Sequence, residues 1–186
     1  MKSFKILRKL FVLGRVLSKV AFILSIVGFC LCIAGMVSLN LENGEGIKLG
    51  GVTLHDMVVD RRGYGTGSVT AAILGVMVVC AGEAVLAKFA EICFAHALNA
   101  ETPFTFGFAK ETLRLGILAI AIPLGCAIAG SIVEAIAAAW MNAPKIAILQ
   151  KNFNSTLSAS VGMMFILVSL LCRSGAELLE KNRAEG

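Results

Sequence analysis

Glu134 is the side chain in this sequence whose setting most suggests chemistry. It follows the uncharged stretch 115–133 and precedes Trp140 by six residues. If Trp140 marks a membrane interface, six residues of helix place the carboxylate about 9 Å deeper, where ionisation is costly. A carboxylate at that depth is a candidate ion or proton site. In the alternative, which the sequence favours, the span ends early and Glu134 reaches the surface.

The two histidines carry weaker signals. His55 and Asp56 are adjacent and resemble a metal or acid-base pair, but without a third ligand they favour a solvated loop. His96 and Glu91 lie five residues apart, on different faces of a helix, so a hydrogen-bonded histidine is favoured over a pH switch or a ligand. The sequence contains no His-Glu-x-x-His, Gly-x-Ser-x-Gly or phosphate-binding glycine motif. We therefore expect no enzyme, with no catalytic residue, cofactor or metal site.

The elements that must position these residues belong to a membrane protein. Of the 186 residues, 58% are hydrophobic and 16% are charged, which excludes a soluble globular domain. Uncharged stretches of the length needed to cross about 30 Å of hydrocarbon predict an all-α protein in the lipid bilayer, a single domain with four transmembrane helices. The predicted spans are residues 20–41, 68–87, 115–140 and 154–172.

The distribution of basic residues predicts the orientation. Six of the 17 Lys and Arg residues precede the first span. This position indicates an interfacial amphipathic helix over residues 1–19. We expect no direct contact of these residues with nucleic acid. Twelve lie on the side of the termini and five on the other side. The positive-inside rule then places both termini in the cytoplasm. The six cysteines occur in apolar segments or at their edges and are interpreted as reduced thiols.

The loop over residues 40–67 is the one substantial polar segment between spans. Residues 46–54 alternate on either side of Gly50 and Gly51, a pair that a two-residue hairpin turn prefers. We therefore expect a small extracytoplasmic β-hairpin.

The segment from Asn99 to Arg114 connects the two halves of the chain and is called the hinge. Pro103 should end the helix that arrives from span two, and Thr105 can cap the next helix. Phe104 can enter the interface, and Lys110 and Arg114 lie one turn apart at headgroup depth.

Small residues at four-residue spacing mark two helix faces for close packing. These are Gly67, Ala71 and Gly75 in span two, and Ala121, Gly125 and Ala129 in span three, where Pro123 should bend the helix. They allow packing within one chain or in a homo-oligomer.

Two motifs carry a resemblance to a known family. They are the hinge sequence Asn-Ala-Glu-Thr-Pro-Phe-Thr with Lys110 and Arg114, and the stretch Gly-Ala-Glu-Leu from Gly175 through Glu177 to Leu178. The chain resembles a bacterial family of four-span membrane proteins, domain of unknown function 2975. Its members are often encoded beside a small helix-turn-helix regulator, so the resemblance implies a regulatory or sensing role in the bacterial cytoplasmic membrane. It brings no catalytic residues.

Two function classes follow. A regulatory, sensing or accessory subunit would bind a cytoplasmic or membrane protein partner through the hinge and the Gly175–Leu178 motif. The residues concerned are Pro103, Phe104, Thr105, Lys110, Arg114, Gly175 and Glu177. The alternative is a small oligomeric transporter or channel that uses Glu134.

Overall fold

The computed structural model describes residues 2–40, 48–49, 52–53, 65–99, 106–144 and 155–184. Most of these residues belong to four long helices: α1 (Lys2–Asn40), α2 (Thr66–Asn99), α3 (Phe106–Trp140) and α4 (Ser155–Ala184). All four are long and apolar enough to cross a membrane. The predicted class, an all-α protein with four membrane-spanning helices, is confirmed at this level.

Helix α1 is continuous over 39 residues. The sequence predicted an interfacial helix to Lys19 and a separate first span from Val20, but no proline or turn separates the two segments. Ser18 donates a hydrogen bond of 2.8 Å to the carbonyl of Gly14, four residues earlier, and so satisfies its hydroxyl within the helix. One helix of about 58 Å results, far longer than a bilayer core requires.

Helices α2 and α3 also extend beyond their predicted spans. Helix α2 continues past Glu83 to Asn99, since no proline or glycine interrupts residues 83–99. Helix α3 begins at Phe106 and contains the buried Pro123, whose ring leaves one carbonyl without its usual donor.

Helix α3 ends after Trp140 in a Schellman motif. Asn142 has a φ of 49°, a left-handed conformation that asparagine tolerates better than most residues. The amides of Asn142 and Ala143 donate to the carbonyls of Ala139 and Ala138, respectively, at 3.3 and 2.9 Å. The helix therefore reaches Trp140, as predicted, and stops there.

Residues 48–49, 52–53 and 65 of the loop after α1 are described. Lys48–Leu49 (β1) and Val52–Thr53 (β2) pair antiparallel, with Lys48 opposite Thr53 and Leu49 opposite Val52. Two residues a strand do not establish the predicted extracytoplasmic β-hairpin. His55 and Asp56 lie outside the described residues.

The chain forms two compact units. The first, called the charged unit, comprises Met1–Ile23, Glu83–Pro123 and Asn154–Gly186. Its core includes Cys93, Phe108, Leu115 and Cys172, so α2, α3 and α4 all contribute. Phe11 of α1 packs against this core, with its ring centroid 5.6 Å from that of Phe108. All four helices therefore meet in this unit.

The second unit, called the apolar unit, comprises Leu24–Gly82 and Leu124–Phe153. Ala71 packs with Ala137 and Ala138, and a methyl group on Gly67 would lie 3.2 Å from Met141. The predicted face of small residues on α2 thus packs closely against α3. All six cysteines of the chain are free thiols.

The second predicted face of small residues, on α3 and called the small-residue stripe, is not packed in the same way. Ala121, Gly125 and Ala129 are all exposed. No atom of the described ranges lies within 4 Å of the position that a Cβ on Gly125 would occupy. Among the described residues this face of α3 does not pack within the chain, and α3 meets α4 elsewhere.

The close contact between α3 and α4 is made by Gly116 and Gly162. A Cβ built on Gly162 would lie 2.8 Å from the carbonyl oxygen of Gly116, and one on Gly116 would lie 2.9 Å from that of Gly162. Neither backbone has room for a methyl group. Ser169 then donates a buried 2.6 Å hydrogen bond to the carbonyl of Ala109, which fixes the two helices lengthwise.

Replacing Gly162 with alanine should destabilise the protein by about 1–3 kcal/mol, because the methyl group forces two backbones apart. We expect a lower melting temperature for the purified protein in detergent. Gly125→Ala is the matched control, since its methyl group enters open space. Equal melting temperatures for the two variants would contradict the close approach.

Candidate functional site

Charge is unevenly distributed between the two units. In the helices of the apolar unit, the described residues include one charged side chain, Glu134. The ion pairs found in the described ranges all lie in the charged unit. Each unit therefore offers a different kind of candidate site.

Glu134 is buried in the apolar unit. It is 4% exposed, and α3 continues for six residues beyond it to Trp140. Neighbouring groups therefore cover the side chain, which does not reach the protein surface. The depth of Glu134 in the bilayer stays a prediction. The Glu134 side chain has an interaction partner.

Other polar side chains are buried in the same unit. Ser38 of α1 is 4% exposed, and Ser68 and Thr70 of α2 are 1% and 6% exposed. Thr70 donates to the carbonyl of Thr66 at 2.9 Å. The hydroxyl of Ser68 has no hydrogen-bond partner in the part of the chain that the structure describes. The interior of this unit is thus not purely apolar.

A three-residue ion cluster joins α1 to α2 in the charged unit. Lys88 Nζ lies 2.9 Å from Glu91 Oε2, and Lys19 Nζ lies 3.7 Å from Glu91 Oε1. The ammonium group of Lys88 also lies 5.5 Å from the ring centroid of Phe22, within cation–π range. Lys88 and Glu91 are three residues apart, a spacing that allows a pair on one helix face, and Lys19 of α1 joins them.

A hydrogen-bonded pair of side chains, His96 and Glu111, joins the facing ends of α2 and α3. His96 Nδ1 lies 3.0 Å from Glu111 Oε1 and 3.1 Å from Oε2. The imidazole N–H can donate to the carboxylate in either protonation state, so the contact persists when the histidine is neutral. The prediction of a hydrogen-bonded His96 is confirmed, although its partner is Glu111.

Glu111 was not among the residues predicted from the sequence, although the spacing of His96 and Glu111 around Pro103 indicates that they could pair. His96 and Glu111 lie seven and eight residues from Pro103, on opposite sides of it. In an antiparallel helical hairpin that turns near Pro103, residues equally far from the turn lie side by side.

A groove of about 240 Å³ adjoins this pair. A second depression of about 280 Å³ shares two of its wall residues, Phe89 and Ile92. The lining of the first groove is mainly apolar. Its polar side chains, His96, Glu111 and Arg114, lie close to one another. An apolar cleft with a few grouped polar side chains is the usual form of a ligand site.

The structure describes four of the seven residues predicted to bind a partner. Lys110 and Arg114 are exposed on α3, Gly175 is half-buried on α4, and Glu177 is exposed. Arg173 donates to Glu177 at 3.1 Å, one turn away on the same helix. These four residues all belong to the charged unit, whereas Glu134 belongs to the apolar unit. Pro103, Phe104 and Thr105 lie outside the described residues.

These features define a multi-pass membrane protein with a charge-bearing unit. Across the described ranges, no group of three His, Cys, Asp or Glu residues is arranged to hold a metal ion. No family model, curated protein or solved structure matches the chain. Functional inference therefore depends on the geometry of this chain.

Glu91→Gln should reduce stability only modestly, because both lysine partners are half exposed to solvent. The melting temperature in detergent should fall in low salt, and the difference should shrink as salt screens the pairs. Glu83→Gln, an exposed site on the same helix, is the control and should have little effect. A salt-independent loss in Glu91→Gln would show that packing, not charge, is what Glu91 contributes.

Proposed function

We propose that the protein is a regulatory, sensing or accessory subunit of the bacterial cytoplasmic membrane. It acts on a soluble or membrane-bound partner through the hinge and the Gly175–Leu178 motif. The twelve-to-five distribution of Lys and Arg supports cytoplasmic termini and a cytoplasmic hinge. The resemblance to the four-span family, which remains a prediction, supports a regulatory role.

The observation that carries this proposal is the His96–Glu111 pair. It connects the two helix ends that flank residues 100–105, at 3.0 Å. Lys110 and Arg114 follow on α3 with their side chains exposed. A pair that holds both ends of a short connection favours a fixed presentation of the hinge to a partner, and Lys110 and Arg114 supply charge beside it.

The Gly175–Leu178 motif belongs to the same surface in this proposal. Ser169 fixes α4 against Ala109 near the start of α3, so the two motifs approach one partner from neighbouring helices. The loop after α1, with the paired residues 48–49 and 52–53, then lies on the opposite, extracytoplasmic side as a small hairpin.

Changing Pro103 and Phe104 together to alanine should abolish partner binding while leaving the helices intact. The tagged protein is extracted gently from native membranes, and the mass of the intact complex is measured. A stoichiometric second protein should accompany the wild type and be absent from the variant. Glu42→Ala with Glu45→Ala, in the loop after α1, is the control and should retain the partner. A wild-type protein that never carries a partner would refute this role.

Glu134 supports a second candidate function, a small transporter or channel. An intramembrane carboxylate that neighbouring groups cover resembles those that handle ions or protons. With one such residue in the described helices, a pathway would require several copies of the chain. The exposed stripe of Ala121, Gly125 and Ala129 offers a face on which copies could pack as a homo-oligomer.

Glu134→Gln tests this second candidate. A transporter should lose ion or proton flux in liposomes, because the amide cannot ionise, while the hinge-dependent partner should still bind. Ser131→Ala, an exposed position one turn earlier on α3, is the control and should keep its flux. Wild-type liposomes without any flux would remove the transporter from consideration.

A further inference from the structure

The two depressions of the charged unit follow one face of α2. The groove beside the His96–Glu111 pair reaches His96, and the other reaches Val85, with Phe89 and Ile92 lining both. The distance from Val85 to His96 along the helix is about 16 Å. This length and the shared wall suit one elongated ligand better than two compact ones.

The surface along this face is apolar and open. Val85 is 50% exposed, Phe89 49% and Ile92 44%, and Leu118 of α3 adds a further apolar wall. A row of large apolar side chains in contact with water would be costly, so it indicates a covered surface.

Neighbouring α4 indicates what covers it. Met163, Met164, Leu167 and Leu171 are 58–70% exposed, which is the pattern of a helix that faces hydrocarbon. The rings of Phe94 on α2 and Phe165 on α4 lie 6.3 Å apart, so the groove on α2 is level with this apolar part of α4. The groove therefore opens at a depth where lipid chains are present.

Charge selects among lipids. Of the charged groups that line the two depressions, Arg114 and Lys88 are cations and Glu111 is an anion. Glu111 is engaged by His96, and Lys88 is held by Glu91. No ion pair of Arg114 is found among the described side chains, and its guanidinium has the planar donor arrangement that binds phosphate.

We propose that this groove is a binding site for one anionic phospholipid. The acyl chain lies along Val85, Phe89 and Ile92, and the phosphate group binds Arg114. The site shares Arg114 with the proposed partner surface, but lipid binding needs neither Pro103 nor Phe104, so the two proposals can fail separately.

Lipid binding to the full-length protein tests the site. The protein is stripped of lipid in detergent, and phosphatidylglycerol and phosphatidylcholine with identical chains are titrated by intact-complex mass spectrometry. Phosphatidylglycerol should bind about tenfold more tightly, because its phosphate charge is uncompensated, whereas the choline ammonium of phosphatidylcholine offsets that charge and is repelled by Arg114. Arg114→Gln should remove this preference. Lys110→Gln, one turn away and absent from the lining, should keep it. Equal binding of the two lipids by the wild type would overturn the proposal.

Two further measurements locate the ligand and identify its source. Phosphatidylglycerol with a photoreactive acyl chain should label peptides that contain Phe89 or Ile92, whereas equal labelling of Met163–Leu171 would show an ordinary lipid shell and overturn the site. Inorganic phosphate alone should not compete at millimolar concentration. If it did, a soluble anion would be the ligand. The melting temperature of lipid-free Arg114→Gln should equal that of the wild type, which excludes misfolding as the cause.

Discussion

Hydrocarbon offers no hydrogen-bond partner to a peptide group, and this constraint decides the architecture. Each backbone amide and carbonyl within the bilayer must be satisfied by its own segment, so the chain forms long helices wherever it is apolar. The same constraint explains the helix end after Trp140, where two amides return to carbonyls of the last turn. Charged side chains are costly in hydrocarbon unless they are paired. In the described ranges the ion pairs all occur in the charged unit.

The polar groups of the two units serve different chemistry. In the charged unit, Glu91 holds two half-exposed lysines, and His96 and Glu111 connect two helix ends with both side chains accessible. Such groups are available to ligands and partners. Glu134, at 4% exposure, is available to neither unless the helices around it move or an internal path reaches it. This difference in access is why we place binding in the charged unit and reserve Glu134 for transport.

Much of the fold could be predicted from hydropathy alone, because a span is a local property of about twenty residues. The four helices follow from local hydropathy, and the Lys88–Glu91 contact lies at the three-residue spacing that allows a pair on one helix face. The contacts between helices do not follow from either. Gly116 belongs to no small-residue stripe noted in the sequence, yet it meets Gly162, while Gly125, which does belong to one, faces open space. Spacing shows that a face permits close packing, but the partner face depends on how the helices rotate.

The contact between α3 and α4 has a mechanical consequence. The backbones touch at Gly116 and Gly162, and the Ser169 hydroxyl is bonded to one particular carbonyl, that of Ala109. Sliding of α4 along α3 would break this bond and move Ile166 and Ile120 out of the spaces beside Gly116 and Gly162 that they occupy. The contact therefore resists axial displacement of α4 against α3, so this helix pair would transmit a pull along its length as a single body.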